Sequence, residues 1–173
     1  MGVRAITAHR PEVSKGFGAV GAALQSSGTL SPRLIELIRL RIAFHNQCRS
    51  CMAVRYTTAI DDGVDEDLVC SLEKPSEADD LTPAEQAALR FADLFATNHL
   101  AIDDAVYDDL RQYFTEGELV EIGFNCAMDV GMGRLVATWR VTDDLPERFQ
   151  SSDDLVTPWG GDEVVVPNRS TRG

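Results

Sequence analysis

The chain has 173 residues, 44% of them hydrophobic and 25% charged. Those proportions belong to a globular domain, and the length suits one domain whose core needs neither disulfide nor metal to hold it. With 16 basic and 28 acidic residues the formal net charge is −12, which sets the chain against nucleic acid and anionic lipid as partners. No apolar run reaches the length of a membrane span. The opening MGVRAITAHR lacks the apolar core of a signal peptide, and Ile6 stands where a myristoylation pattern needs Ser or Thr. The expected compartment is therefore the reducing cytoplasm.

In chain order, Ser31-Pro32 is the first strong signal: a capping hydroxyl ahead of a proline at the first helical position. Leu34, Ile35, Leu37, Ile38, Ile42, Ala43 and Phe44 follow, apolar on most faces, so this helix is expected to be buried. Asn46-Gln47 interrupts it, and a second helix is predicted from near Cys48 to Ile60, stopped by Asp61-Asp62-Gly63. A short helix over 65–72 and a polar linker over 74–80 come next. Thr82-Pro83-Ala84-Glu85 is a capping box that opens a helix through Phe91 and Phe95. Asp103 or Asp104 caps a short helix with Val106, Leu110 and Phe114. Thr115-Glu116-Gly117-Glu118 is a second capping box, opening a long helix that runs to Trp139.

The alternation needed for a strand is absent except over Glu163–Val166. The reading is an all-helical domain over 1–142 and an extended arm over 143–173, rich in Asp, Ser, Pro and Gly. Within that arm Trp159-Gly160-Gly161 is a natural grip on a neighbouring subunit. A faint echo links Leu34-Ile35-Glu36-Leu37 to Leu119-Val120-Glu121-Ile122, 85 positions on, and suggests two related helical hairpins. The second copy has Gly133 and Val136 where the first has Cys48 and Cys51, so thiol chemistry belongs to the first copy alone.

Charge is unevenly spread. From Ser31 to Ile60 five arginines (33, 39, 41, 49 and 55) face one acid, Glu36, and inside this basic stretch lies Cys48-Arg49-Ser50-Cys51. At the first turn of a helix this spacing lets two sulfurs join, and the helix dipole and nearby arginines favour thiolate, the reactive form. Two buried cysteines acting as small hydrophobes are the plain alternative. His45, Cys48 and Cys51 also stand at three-residue spacing, but a structural zinc wants a fourth ligand and none is at hand; His9 and His99 stand alone. Glu36, on a mostly apolar helix, is either a general acid/base serving the thiols or the partner of Arg39 three residues on. Cys70 and Cys126 read as core. Asp129 either lines a pocket or pairs with an arginine, and the pair is the favoured reading. The paired acids, Asp153-Asp154 among them, read as caps and solvated faces.

Glu36, eleven intervening residues and then Cys48-x-x-Cys51 resemble the active-site segment of the alkylhydroperoxidase D-like family, in the carboxymuconolactone decarboxylase superfamily. LSPRLIELIRLRIAFHNQCRSC, LTPAEQAALRFADLF and FTEGELVEIGFNCAMDVGMGRL are similar to successive helices of that family, over Phe17–Val141. The resemblance implies an all-α helical bundle, a homo-oligomer (trimer or hexamer), and a thiol peroxidase or disulfide reductase without an organic cofactor. Its substrate would be a small peroxide or disulfide, its electrons would come from an unnamed donor, and Cys51 would attack while Cys48 resolves. Dipole reasoning alone favours Cys48 as the more activated thiol. The family's motif continues C-x-x-C-x-x-x-H, whereas Arg55 stands at the histidine's place here. A guanidinium cannot relay a proton; Arg55 could hold a thiolate or an anionic substrate, or tie into the Asp61-Asp62 region. His45 could supply the imidazole, or cap a helix end. The rival functions are a decarboxylase-like enzyme acting on a carboxylated lactone and a non-catalytic oligomeric scaffold.

Overall fold

A computed structural model describes residues 2–151, 154–161 and 163–167. Met1, Asp153 of the acidic pair and residues 168–173 of the expected arm lie outside the described residues. The fold is all-α. Its helices are α1 (Val3–Thr7), α2 (Pro11–Ser27), α3 (Pro32–Asn46), α4 (Arg49–Ala53), α5 (Thr57–Asp61), α6 (Glu66–Cys70), α7 (Pro83–Thr97), α8 (Asp104–Leu110) and α9 (Glu116–Trp139). The caps are those written in the sequence. Ser31 Oγ accepts from the Leu34 amide, Asp103 accepts from the Val106 amide, and Thr82 and Thr115 each close a full capping box.

α3 is the central element, packed between α7 and α9. One side gives Leu34, Ile38 and Ile42 to a core shared with Ala88, Phe91, Leu110, Ile122 and Cys126. The other gives Leu37 and Leu40 to a core with Val69, Leu72, Leu81 and Leu89. A helix buried on two sides needs apolar residues all round, which is why α3 shows no clean polar face. Each such side chain contributes about 1.5–3 kcal/mol through burial.

α1 and α2 precede the first helix that the sequence reading places, and neither contributes a buried residue. The chain crosses from α2 to α3 under Glu121, whose carboxylate accepts from the amides of Thr29 (2.8 Å) and Leu30 (3.4 Å). Gly28 is required at this crossing, because a Cβ there would meet the Glu121 carboxylate and the Leu24 carbonyl. The echoed acids Glu36 and Glu121 are thus both buried, and each has its oxygens occupied.

The helix expected from Cys48 to Ile60 is two short ones. Val54 is extended, and the Arg55 amide donates to Val165 O (3.0 Å) while the Val165 amide donates to Ala53 O (2.8 Å). This parallel bridge between Val54 and Val165 takes backbone groups that a continuous helix would use. Residues 163–166 accordingly form a single bridge, not a strand. The arm lies along its own chain. Trp159 is buried against Phe44 (ring centroids 4.8 Å apart) in the α3 core, so its grip is intramolecular and not on a neighbouring subunit. Phe149 is fully buried with Ala43, Met52 and Ala53.

Candidate active site

α3 ends at Gln47, whose φ of 50° places it in the left-handed region. The turn is secured by its side chain. Gln47 Nε2 donates to the carbonyls of Phe44 and Val156, and Oε1 accepts from the Val156 amide and from Arg49. The chain then enters α4 with Cys48 as its N-cap, Sγ accepting from the Cys51 amide at 3.3 Å. Cys48 and Cys51 are joined as a disulfide, their Cα atoms 5.2 Å apart. The two sulfurs differ in access. Cys48 is fully buried, whereas Cys51 is part-exposed and lies on the wall of a cavity of about 440 Å³.

Arg39, Ala43, Ser50, Tyr56, Asp129 and Met132 help to line that cavity. A second hollow of about 550 Å³, with Glu36 and Glu121 on its wall, shares Arg39, Tyr56 and Asp129 with the first. On the other side a cleft of about 530 Å³ carries Arg49, Arg134 and Arg140 and meets the first cavity at Ser50 and Val136. Anionic groups are suited to that cleft.

Arg39 organises the site, a role the sequence reading gave only as a partner for Glu36. Its Nε and Nη2 hold both Glu36 oxygens at 2.7 Å. Its Nη1 donates to Cys51 O (2.6 Å) and Nη2 to Val54 O (2.8 Å), carbonyls at the open C-terminal end of α4. Glu36 therefore reaches the cysteine helix through Arg39, not by direct contact. Burial opposes the Arg39 charge, but Glu36 more than offsets it and the guanidinium is held firmly protonated. The Tyr56 ring stacks under Arg39 at 5.0 Å.

The other residues expected at the thiols are elsewhere. His45 Nε2 is 2.6 Å from Asp93, whose carboxylate also takes two bonds from Arg41. Burial pushes the Asp93 carboxyl up, but His45 and Arg41 outweigh it and the net shift is downward. His45 is not on the wall of the Cys51 cavity. Its ring is tied to Asp93, and among the described residues no metal-holding cluster is found, a His45–Cys48–Cys51 set included. Arg55 is 2% exposed. Its guanidinium binds Glu66 through two bonds and the carbonyls of Met52, Val54 and Pro158, not the Asp61-Asp62 region and not the cavity. The break at Val54 takes residue 55 off the α4 face that a continuous helix would have given it.

Cys126 is core, and burial pushes its thiol up, away from reactivity. Cys70, expected in the core, is exposed at the end of α6. Asp129, expected to pair with an arginine, lines the cavity instead. Glu36 already occupies Arg39, the arginine whose charge acts on Asp129. Burial is the main cause that pushes the Asp129 carboxyl up to about 7, with Arg39 opposing and Glu36 adding to the rise.

Residues 11–94 match the family model described as the carboxymuconolactone decarboxylase family. Uncharacterized proteins from two strains of Mycobacterium tuberculosis are 38% identical over 98 residues, which is 56% of this chain. The chain spans about a third (34%) of the length of those curated relatives. Among solved structures, a protein of unknown function from Agrobacterium tumefaciens, named for AhpD-type antioxidant defence, superposes with a TM-score of 0.70 at 24% identity. That match covers 82% of this chain and 97% of the other. The alkylhydroperoxidase AhpD core of an uncharacterized peroxidase-related protein from Ralstonia eutropha gives 0.69 at 22% identity, over 84% of this chain and 76% of that one. At such identity both likenesses speak for the fold.

Proposed function

We propose that this chain, whose residues 11–94 are similar to the carboxymuconolactone decarboxylase family, is a thiol-dependent oxidoreductase that reduces small hydroperoxides or disulfides. One observation carries the reading: a Cys48–Cys51 disulfide with one sulfur sealed and the other on a cavity wall. Cys51, the accessible sulfur, attacks the peroxide and becomes a sulfenic acid while the alkoxide leaves and is protonated to an alcohol. Cys48 then attacks Cys51 Sγ, water departs and the disulfide forms. A dithiol reductant restores both thiols, which suits a reducing compartment such as the cytoplasm. Glu36 and Arg39 seat α4 throughout.

The assembly is proposed to be a homo-oligomer. α2 has no buried residue, and Val13, Phe17 and Val20 on it and Val120, Phe124 and Leu135 on α9 are exposed. So much apolar surface on two helices supports self-association.

The decisive experiment exposes the reduced protein to an alkyl hydroperoxide and counts free thiols, with Cys48→Ser and Cys51→Ser in parallel. Fast loss of two thiols in the parent, and sulfenic acid trapped at Cys51 in Cys48→Ser, is the expected result. Thiol loss no faster than that of an ordinary cysteine would refute the reading. Turnover of a carboxylated lactone by the double serine variant would replace it with the decarboxylase.

A further inference from the structure

We propose that Asp129 is the acid of the peroxide step, delivering the proton that the departing alkoxide requires. This rests on the thiol cycle just proposed and names a residue which that cycle leaves unassigned.

The first observation is placement. Asp129 shares the wall of the 440 Å³ cavity with Cys51, as do Arg39 and Tyr56, stacked on each other. A hydroperoxide held against Cys51 Sγ presents its leaving oxygen to the remaining cavity wall. The charged and titratable groups on that wall are Arg4 from α1, Arg39 from α3, Tyr56 and Asp129. Among these lining groups Asp129 is the one carboxyl, and a guanidinium does not release a proton in this range.

The second observation is that Asp129 is the exception among the shielded acids. Glu36 is held by Arg39, Glu85 by Arg33, Asp93 by Arg41 and His45, and Glu121 by backbone amides. Among the described residues no ion pair closes on Asp129. Its environment comprises Arg39 and Glu36 from α3 and Cys126 one turn earlier on α9. Arg39 is committed to Glu36 and to the α4 carbonyls. The Asp129 carboxyl consequently keeps its proton to about pH 7, which leaves it an acid under the conditions in which a thiolate also exists.

The step balances. Cys51 thiolate forms a bond to the distal peroxide oxygen as the O–O bond breaks, and the alkoxide takes the Asp129 proton. The products are Cys51 sulfenic acid, an alcohol and Asp129 carboxylate. Cys48 thiol and the sulfenic acid then give the disulfide and water. When a dithiol reductant opens the disulfide, one of its two protons stays on Cys48 and the other returns to Asp129, leaving Cys51 as thiolate.

The test measures the second-order rate of sulfenic acid formation in the Cys48→Ser background with an alkyl hydroperoxide and with a peroxycarboxylic acid. The latter expels a carboxylate that needs no proton. Alkylation of Cys51 by a maleimide serves as the control for thiolate and access. Asp129→Asn is expected to slow the alkyl hydroperoxide about 100-fold at pH 6.5. It should leave the peroxycarboxylic acid and maleimide rates within threefold and abolish the decline in rate above about pH 7. Asp129→Glu should restore part of the loss. Equal slowing of all three reagents, or an unchanged rate and pH profile in Asp129→Asn, overturns the proposal while the thiol cycle stands. Failure of the parent protein to react with either peroxide overturns both.

Discussion

Replacing Arg55 by methionine tests whether this residue serves the fold or the thiols. The guanidinium is 2% exposed and bonds to Met52 O at 2.8 Å, Val54 O at 3.1 Å, Pro158 O at 2.7 Å and the Glu66 carboxylate at 2.7 and 3.0 Å. Methionine fills much of the same volume and donates nothing. Each carbonyl left without a donor costs about 1 kcal/mol net. Glu66, with a side chain 37% exposed, can rehydrate, so losing that pair adds only about 1 kcal/mol. Arg55→Met should therefore lower stability by roughly 3–4 kcal/mol. In urea, with a slope of about 2 kcal/mol per molar, the unfolding midpoint should fall by about 1.5–2 M. Maleimide alkylation of reduced Cys51 in the folded variant should be no slower than in the parent. A midpoint change under about 0.5 M, together with a tenfold or greater loss of Cys51 reactivity, would refute the structural assignment and return Arg55 to the thiols.

Glu36→Gln leaves Arg39 buried without its counter-charge and should cost about 3–5 kcal/mol, read as a lower denaturant midpoint; an unchanged midpoint would show that the α4 carbonyls alone hold Arg39. Asp129 has a raised folded-state pKa, so its protonated form contributes stability that is complete below about pH 4 and lost as pH climbs through about 7. Asp129→Asn should thus gain about 2–4 kcal/mol on the parent between pH 5 and pH 8, and parallel stability curves would count against it. Trp159→Ala should cost about 3 kcal/mol and speed hydrogen exchange at the Arg55 and Val165 amides ahead of α9; uniform exchange would mean that the arm is not pinned by this ring. Phe124→Asp should shift the sedimentation profile towards a smaller species if α9 is an interface, and an unaltered profile would exclude that face.

The helices that could be read from sequence are those with local start signals. Ser31, Thr82, Asp103 and Thr115 each fix a helix end through a bond three residues away, so α3, α7, α8 and α9 are written in short stretches of text. α2 has no such cap and three glycines over residues 16–21, so no local signal announces it. The break after Ala53 was invisible because its cause, Val165, is more than a hundred residues along the chain. The same distance hid the fate of Arg55, which is settled by Glu66 and Pro158. The cysteine pair was legible from spacing alone. Asp129 was not, since whether it pairs or faces a cavity depends on Glu36 having claimed Arg39 first.

Arg39 grips the cysteine helix by main-chain oxygens, those of Cys51 and Val54. Joining or parting the sulfurs therefore leaves the polar anchorage of that helix intact. On the proposed cycle, a segment seated in this way would pass through oxidised and reduced forms repeatedly without dismantling its support, and each round would begin from the same geometry.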